Sequence, residues 1–263
     1  MLKPLYIEGT PAFAVSLDGP SLVVAASGGR QKGRIPLPRL AHVITSEKAK
    51  WSTEALVACL RHGIPVVFLD AEGAAVGFCM GTGRPDPQEE MARALATFLD
   101  RPDWPFAYAA WKKGAERYAI RGALKTLELA IPDLRPSLAQ KVLADRLEGL
   151  LPKPTVEALL KRLRAFLFGL VVDLLQTTGM ARFIHQEPDF QPHQDLVALL
   201  LWDLKALTVR LALEGRPLTP QTIQSLAFVQ ELEKRTQTLW KNGRLYLHWL
   251  ERNIHRLIAY HKA

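Results

Sequence analysis

The sequence predicts an α+β protein: a small, mostly antiparallel N-terminal β domain with one helix, followed by a larger all-α domain. Three observations predict it. Short β-type runs separated by turn pairs extend to about residue 80, a Gly/Pro stretch follows, and apolar spacing of helical period continues almost to the end. With 263 residues and 48% hydrophobic content, the chain can bury a substantial core, and its length suits two unequal domains.

The runs Leu5 to Ile7, Ala12 to Leu17, Leu22 to Ala26, Arg34 to Leu37, His42 to Thr45, Pro65 to Leu69 and Val76 to Cys79 read as strands. Asp18-Gly19, Gly28-Gly29 and Asp70-Ala71-Glu72-Gly73 supply the left-handed backbone positions that tight turns need. One helix interrupts the strands. Ser52 can cap it, Glu54 suits its first turn, Leu56, Cys59 and Leu60 share one face, and His62-Gly63 ends it. The β domain therefore covers 1–80. Gly81-Thr82-Gly83-Arg84-Pro85-Asp86-Pro87 breaks the pattern, so 81–88 reads as a linker and 89–263 as the helical domain. Helical spacing is carried by Met91, Leu95, Phe98 and Leu99, then by Val156, Leu159, Leu160, Leu163, Leu167 and Leu170. It continues through Leu196, Leu199, Leu200, Leu204 and Leu207, and through Ile223, Leu226 and Ala227, with prolines between the segments.

The formal charge of +8 and pI of about 9.6 favour polyanionic partners, nucleic acid being the commonest; plain solubility explains the same excess. Cationic clusters fall at Lys112-Lys113-Arg117-Arg121-Lys125, Lys153-Lys161-Arg162-Arg164 and Lys234-Arg235-Lys241-Arg244. The first draws a basic stripe along one helix, suited to a phosphate backbone, or equally a solvated face partnered by Glu116 and Glu128. Tyr246, Trp249 and Tyr260, interleaved with histidines and arginines, read as core aromatics before base-stacking platforms. Cys59 and Cys79 sit in apolar surroundings outside any CxxC spacing and read as reduced core residues. No uninterrupted run reaches the roughly 18 apolar residues of a membrane span, and Glu8-Gly9 interrupt any signal-peptide core, so the expected location is the cytoplasm.

The segment Gly179-Met180-Ala181-Arg182-Phe183-Ile184-His185 places a histidine just past a helix end, and ten residues later Asp195 heads the apolar run Leu196 to Leu201. The two side chains could converge on one divalent ion or one water. Asp195 equally suits the N-cap of an apolar helix. Together with Leu5-Tyr6-Ile7, Arg34-Ile35-Pro36-Leu37, His42-Val43-Ile44 and Gly63-Ile64-Pro65-Val66-Val67-Phe68-Leu69-Asp70 followed by Gly73, this segment resembles the Cas-one (Cas1) family of CRISPR-adaptation integrases. Gly179 to His185 is similar to the family's "GLDP-GFLH" turn and Asp195-Leu196 to its "SLALDL" helix start, and the likeness covers nearly the whole chain.

The resemblance implies a Glu, a His and an Asp binding Mn²⁺ or Mg²⁺ and assisting phosphodiester transesterification. Hard oxygen ligands and one imidazole would hold an ion that stabilises charge developing on phosphorus. It assigns His185, Asp195 and Glu148 as catalytic and metal-binding residues; the cationic clusters, for their part, offer Lys112, Lys113, Arg117, Arg121, Lys125, Lys161, Arg162 and Arg164 as nucleic-acid contacts. This sequence departs from the pattern in two places. Ala198 stands where the family's second acidic residue falls, and Asp203, two helical turns past Asp195 and about 12 Å away along the axis, does not replace it without a different register. Only Leu147-Glu148-Gly149 resembles the family's "EG-AAR-Y" phrase, and Glu148 lies 37 residues before His185 instead of some 65, as though a helical hairpin were missing. Glu116, at 69 residues, has nearer the expected separation, but its neighbours resemble an earlier family helix.

The resemblance further implies a homodimer formed through the β domain and a Cas-two (Cas2) partner. Two versions stand within it: a degenerate subunit that binds branched or protospacer DNA without chemistry, which the altered acidic positions favour, and an active metal-dependent integrase or endonuclease. A basic helical DNA-binding regulator is the reading from another class. No G-x-S-x-G, P-loop, H-E-x-x-H or Rossmann fingerprint points to a different enzyme.

Overall fold

The computed structural model describes residues 3–7, 13–26, 31–81, 89–129, 135–183, 187 and 189–260. Strands β1 (Lys3–Ile7), β2 (Phe13–Asp18), β3 (Ser21–Ala26), β4 (Gln31–Pro36), β5 (Leu40–Ser46), β6 (Lys50–Trp51), β7 (Val66–Leu69) and β8 (Ala75–Cys79) form two four-stranded sheets. Their orders are β1-β5-β7-β8 and β4-β3-β2-β6. Helix α1 (Thr53–Arg61) lies between β6 and β7.

The local signals fall where the sequence places them. Asp18 and Ser21 close the β2–β3 hairpin around Gly19, whose φ of 55° only glycine adopts at little cost. Ser52 accepts the Ala55 amide at 3.2 Å and caps α1, and Gly63, at φ 66°, releases the chain into β7. Asp70 Oδ1 accepts the Ala74 amide at 2.7 Å, holding the β7–β8 turn. Gly28-Gly29 and most of the 81–88 linker lie outside the described residues.

Most paired residues are antiparallel, as expected, but the sheets are mixed. β2–β3, β3–β4 and β7–β8 are antiparallel, but β1–β5, β5–β7 and β2–β6 are parallel. The reason is topological: α1 carries the chain back across the sheet between β5 and β7, and such a crossover delivers the next strand parallel. The two-residue β6 was not anticipated.

Among the described residues eight α-helices follow: α2 (Glu89–Leu99), α3 (Trp104–Thr126), α4 (Pro136–Leu150), α5 (Lys153–Thr177), α6 (Pro192–Leu213), α7 (Pro220–Gln224), α8 (Leu226–Glu233) and α9 (Thr236–Tyr260). Proline at the first or second position starts α3 to α7, where its missing N–H costs nothing. Helices α5 and α6 are buried along most of their length and form the centre of the helical part. Ala165 and Phe168 of α5 pack on Ile44, Val67, Leu69 and Phe78, so the first sheet rests directly on this central helix. Gly169 makes that approach possible: a Cβ there would lie 3.0 Å from the His42 ring and 3.2 Å from Ile44.

Cys59 is buried and Cys79 half-buried, both as free thiols; burial raises the Cys59 thiol to about 12, so it behaves as an apolar core residue. Among the described residues no helix is long and apolar enough to cross a membrane.

Candidate functional site

Two faces of the helical part meet at the start of α6. On α3, Tyr108, Lys112 and Glu116 recur every four residues and so share one stripe. On α6, Asp195 sits in the first turn, where the helix dipole favours a carboxylate. Its side chain crosses to α3. Oδ2 accepts the Tyr108 hydroxyl at 2.7 Å, and Oδ1 pairs with the Lys112 ammonium at 2.5 Å. Asp195 is buried, whereas half of the Lys112 side chain remains in solvent. The N-cap alternative is overturned, because Gln191 occupies that position and Asp195 bonds across the helices instead.

Burial first, then the charge of Asp195 and the hydrogen bond to it, raise the Tyr108 phenol, which stays a neutral donor. Burial also raises the Glu116 carboxyl above the ordinary carboxylate range; Lys112 opposes the shift and Asp195 adds to it. These side chains form one electrostatic unit.

Beside this unit lies a cleft of about 480 Å³ between α3, α4, α5, α6 and the β7–β8 turn. Glu116, Gln140, Ala198, Lys161, Arg164 and Lys205 line it. Ala198 is exposed there, one turn after Asp195. Helix α4 presents Gln140 to the cleft, while Glu148, two turns further on, is exposed and is not part of the lining. His185 lies outside the described residues. Of the three ligands the resemblance assigns, the structure thus places Asp195 in an ion pair and Glu148 away from the cleft.

Asp203 is committed elsewhere. It accepts from Arg235 at 2.9 Å and Asn242 at 3.3 Å, tying α6 to the C-terminal helices. Sequence reading missed Tyr108, Gln140 and Lys205. Tyr108 and Lys205 were legible in principle from helical register, four residues before Lys112 and seven after Ala198; nothing local marks Gln140.

The predicted basic residues separate into three groups. Lys113, Arg117, Arg121 and Lys125 are exposed on α3 and form the anticipated stripe, while Lys112 is held by Asp195. Lys161 and Arg164 face the cleft. Arg162 instead lines a niche with Tyr6, Ile44 and Val229. Buried Tyr246 and half-buried Trp249 of α9 pack edge to face with each other and with the exposed Tyr118 of α3, with centroids 5.0–6.2 Å apart, and so join α3 to α9.

The family described as "CRISPR associated protein Cas1" matches residues 5–128. A Cas1 protein from Thermotoga maritima has the same fold, with a TM-score of 0.71 at 12% identity, covering 96% of this chain and 97% of that one. TtCas1 in a complex with DNA is similar with a TM-score of 0.64 at 14% identity, covering 94% and 91% of the two chains. A casposase bound to its integration product gives 0.60 at 14% identity, covering 92% and 82%. No curated protein sequence matches the chain. The fold and cleft thus define an α+β protein of the Cas1 type. The family match spans just under half of the chain, and over nearly its whole length the chain has the fold of Cas1 proteins.

Proposed function

We propose that this protein is a DNA-binding Cas1 subunit of CRISPR adaptation in which the family's metal chemistry has been lost. One observation carries the reading: both oxygens of Asp195 are occupied, one by a hydroxyl and one by an ammonium, beside a cleft where Ala198 offers no ligand. A hard divalent cation needs several anionic or carbonyl oxygens converging on it. Among the described residues the cleft wall supplies the Glu116 carboxylate, the Gln140 and Gln194 amides and three cations, a donor set with a single anionic oxygen ligand that does not fit Mn²⁺ or Mg²⁺. What survives is the scaffold and a positive surface. The exposed stripe of α3 and the +8 charge suit a DNA backbone, and TtCas1, of the same fold, is known in a DNA complex. A Cas6-RT-Cas1–Cas2 complex also contains this fold, matched at a TM-score of 0.64 over 97% of this chain and 35% of that one, which supports Cas2 as a partner. The proposal includes a homodimer through the β domain, which sedimentation at micromolar concentration tests: a monomer would count against it.

The reading is tested by anisotropy with forked and plain duplex DNA across a salt series. Tighter binding to the forked substrate is expected, with Arg117→Glu and Arg121→Glu each weakening it about tenfold or more. A preference for one duplex sequence over any branch would instead identify a regulator.

A further inference from the structure

The three cations of the cleft stand out because nothing described balances them. Lys161 and Arg164 lie one turn apart on α5, and Lys205 faces them from α6. Among the described residues none of the three has a carboxylate within ion-pair distance, whereas Lys234 and Arg235, between α8 and α9, pair with Glu231 and Asp203. Lys205 is only half-exposed, its ammonium 5.7 Å above the Trp202 ring. Burial lowers its affinity for a proton, and the Arg164 charge lowers it further. The fold therefore holds two like charges against each other in a partly closed recess, an arrangement that costs stability and that a bound anion would relieve.

We infer that this cleft is a metal-free phosphate site, in which Lys161, Arg164 and Lys205 hold a phosphate group in the place where other family members would use a cation. It rests on the DNA-binding reading above when that phosphate belongs to a nucleic-acid backbone; a free phosphate or pyrophosphate offers the same chemistry. The recess suits a tetrahedral dianion or diester: Arg164 supplies a planar fork of donors, the two lysines supply point charges, and Gln140 and Gln194 supply neutral amides at the rim. Glu116 lies on the opposite wall, where its carboxylate repels the ligand from α3 and so directs it toward α5 and α6.

The test uses the full chain and the double variant Arg164→Gln/Lys205→Gln. Forked-DNA binding is measured in EDTA over a salt series. The variant is expected to bind about tenfold more weakly and to lose about one unit from the slope of log K against log salt, as the loss of one phosphate contact requires. Its melting temperature is expected to stay level or rise, since a like-charge pair has been removed, so a fall in affinity does not report unfolding. Pyrophosphate forms a second arm: it should raise the melting temperature of the wild type and leave the variant unmoved. If wild type fails to bind DNA, the DNA-binding reading is lost, and a pyrophosphate response confined to the wild type still sustains the site. Unchanged affinity, salt slope and pyrophosphate response in the variant would overturn the inference. So would DNA binding that tightens with Mn²⁺ and loses that gain in Glu116→Gln, which would make the cleft a cation site.

Discussion

His42 makes the contact between sheet and central helix sensitive to acid. Its ring lies on β5 against Gly169 of α5, it is buried, and its Nδ1 has no hydrogen-bond partner among the described residues. Burial alone lowers its ionisation from 6.5 to about 4. The sign follows from which state binds the proton. Above pH 6.5 the imidazole is neutral both folded and unfolded and has no effect on stability. Below it the unfolded chain takes up a proton that the fold refuses, so stability falls with decreasing pH until about pH 4. At about 1.4 kcal/mol per pH unit, the full loss is about 3 kcal/mol, and about 2 kcal/mol has gone by pH 5. Urea unfolding at pH 7 and pH 5, compared between wild type and His42→Leu, isolates this contribution because the other titrating groups are common to both. His42→Leu should be at least as stable at pH 7 and should lose about 2 kcal/mol less on acidification. Equal losses in the two proteins, within about 0.5 kcal/mol, would refute the assignment.

Two further substitutions probe the scaffold and the ion pair. In Gly81→Ala the new Cβ would lie 1.9 Å from the Leu60 carbonyl oxygen, a backbone atom that cannot swing away, so a loss of at least about 2 kcal/mol is expected in urea unfolding. Lys112→Met leaves the buried Asp195 carboxylate with Tyr108 as its only partner among the described residues; because half of Lys112 is in solvent, the expected cost is about 1–2 kcal/mol, and adding Asp195→Asn should recover part of it, as a double-mutant cycle would show.

How much was legible depended on the range of the interaction. Gly19, Ser52 and Gly63 act on residues next to them, and the sequence placed the corresponding turns and cap. Strand pairing is decided between segments far apart, as when β1 pairs with β5, so alternation along each strand identified strands but not their direction. The site divides the same way. Ala198 was recognisable as a missing carboxylate only through the resemblance, by its place three residues after Asp195. The capture of Asp195 by Tyr108, 87 residues earlier, requires two helices to be docked before it can be seen. Glu148 was chosen for a local phrase, yet α4 turns Gln140 toward the cleft instead, because helical phase and not the nearest matching dipeptide decides what faces a neighbour.

The most direct test of the central claim, a DNA-binding family member without metal chemistry, is spacer integration into a supercoiled plasmid bearing a repeat, with Mn²⁺ and a Cas2 partner present. The account predicts that the protein binds the forked substrate but joins no spacer, with His185→Ala and Asp195→Ala indistinguishable from wild type in strand transfer. Integration by the wild type that both substitutions abolish would contradict it and establish a working metal site.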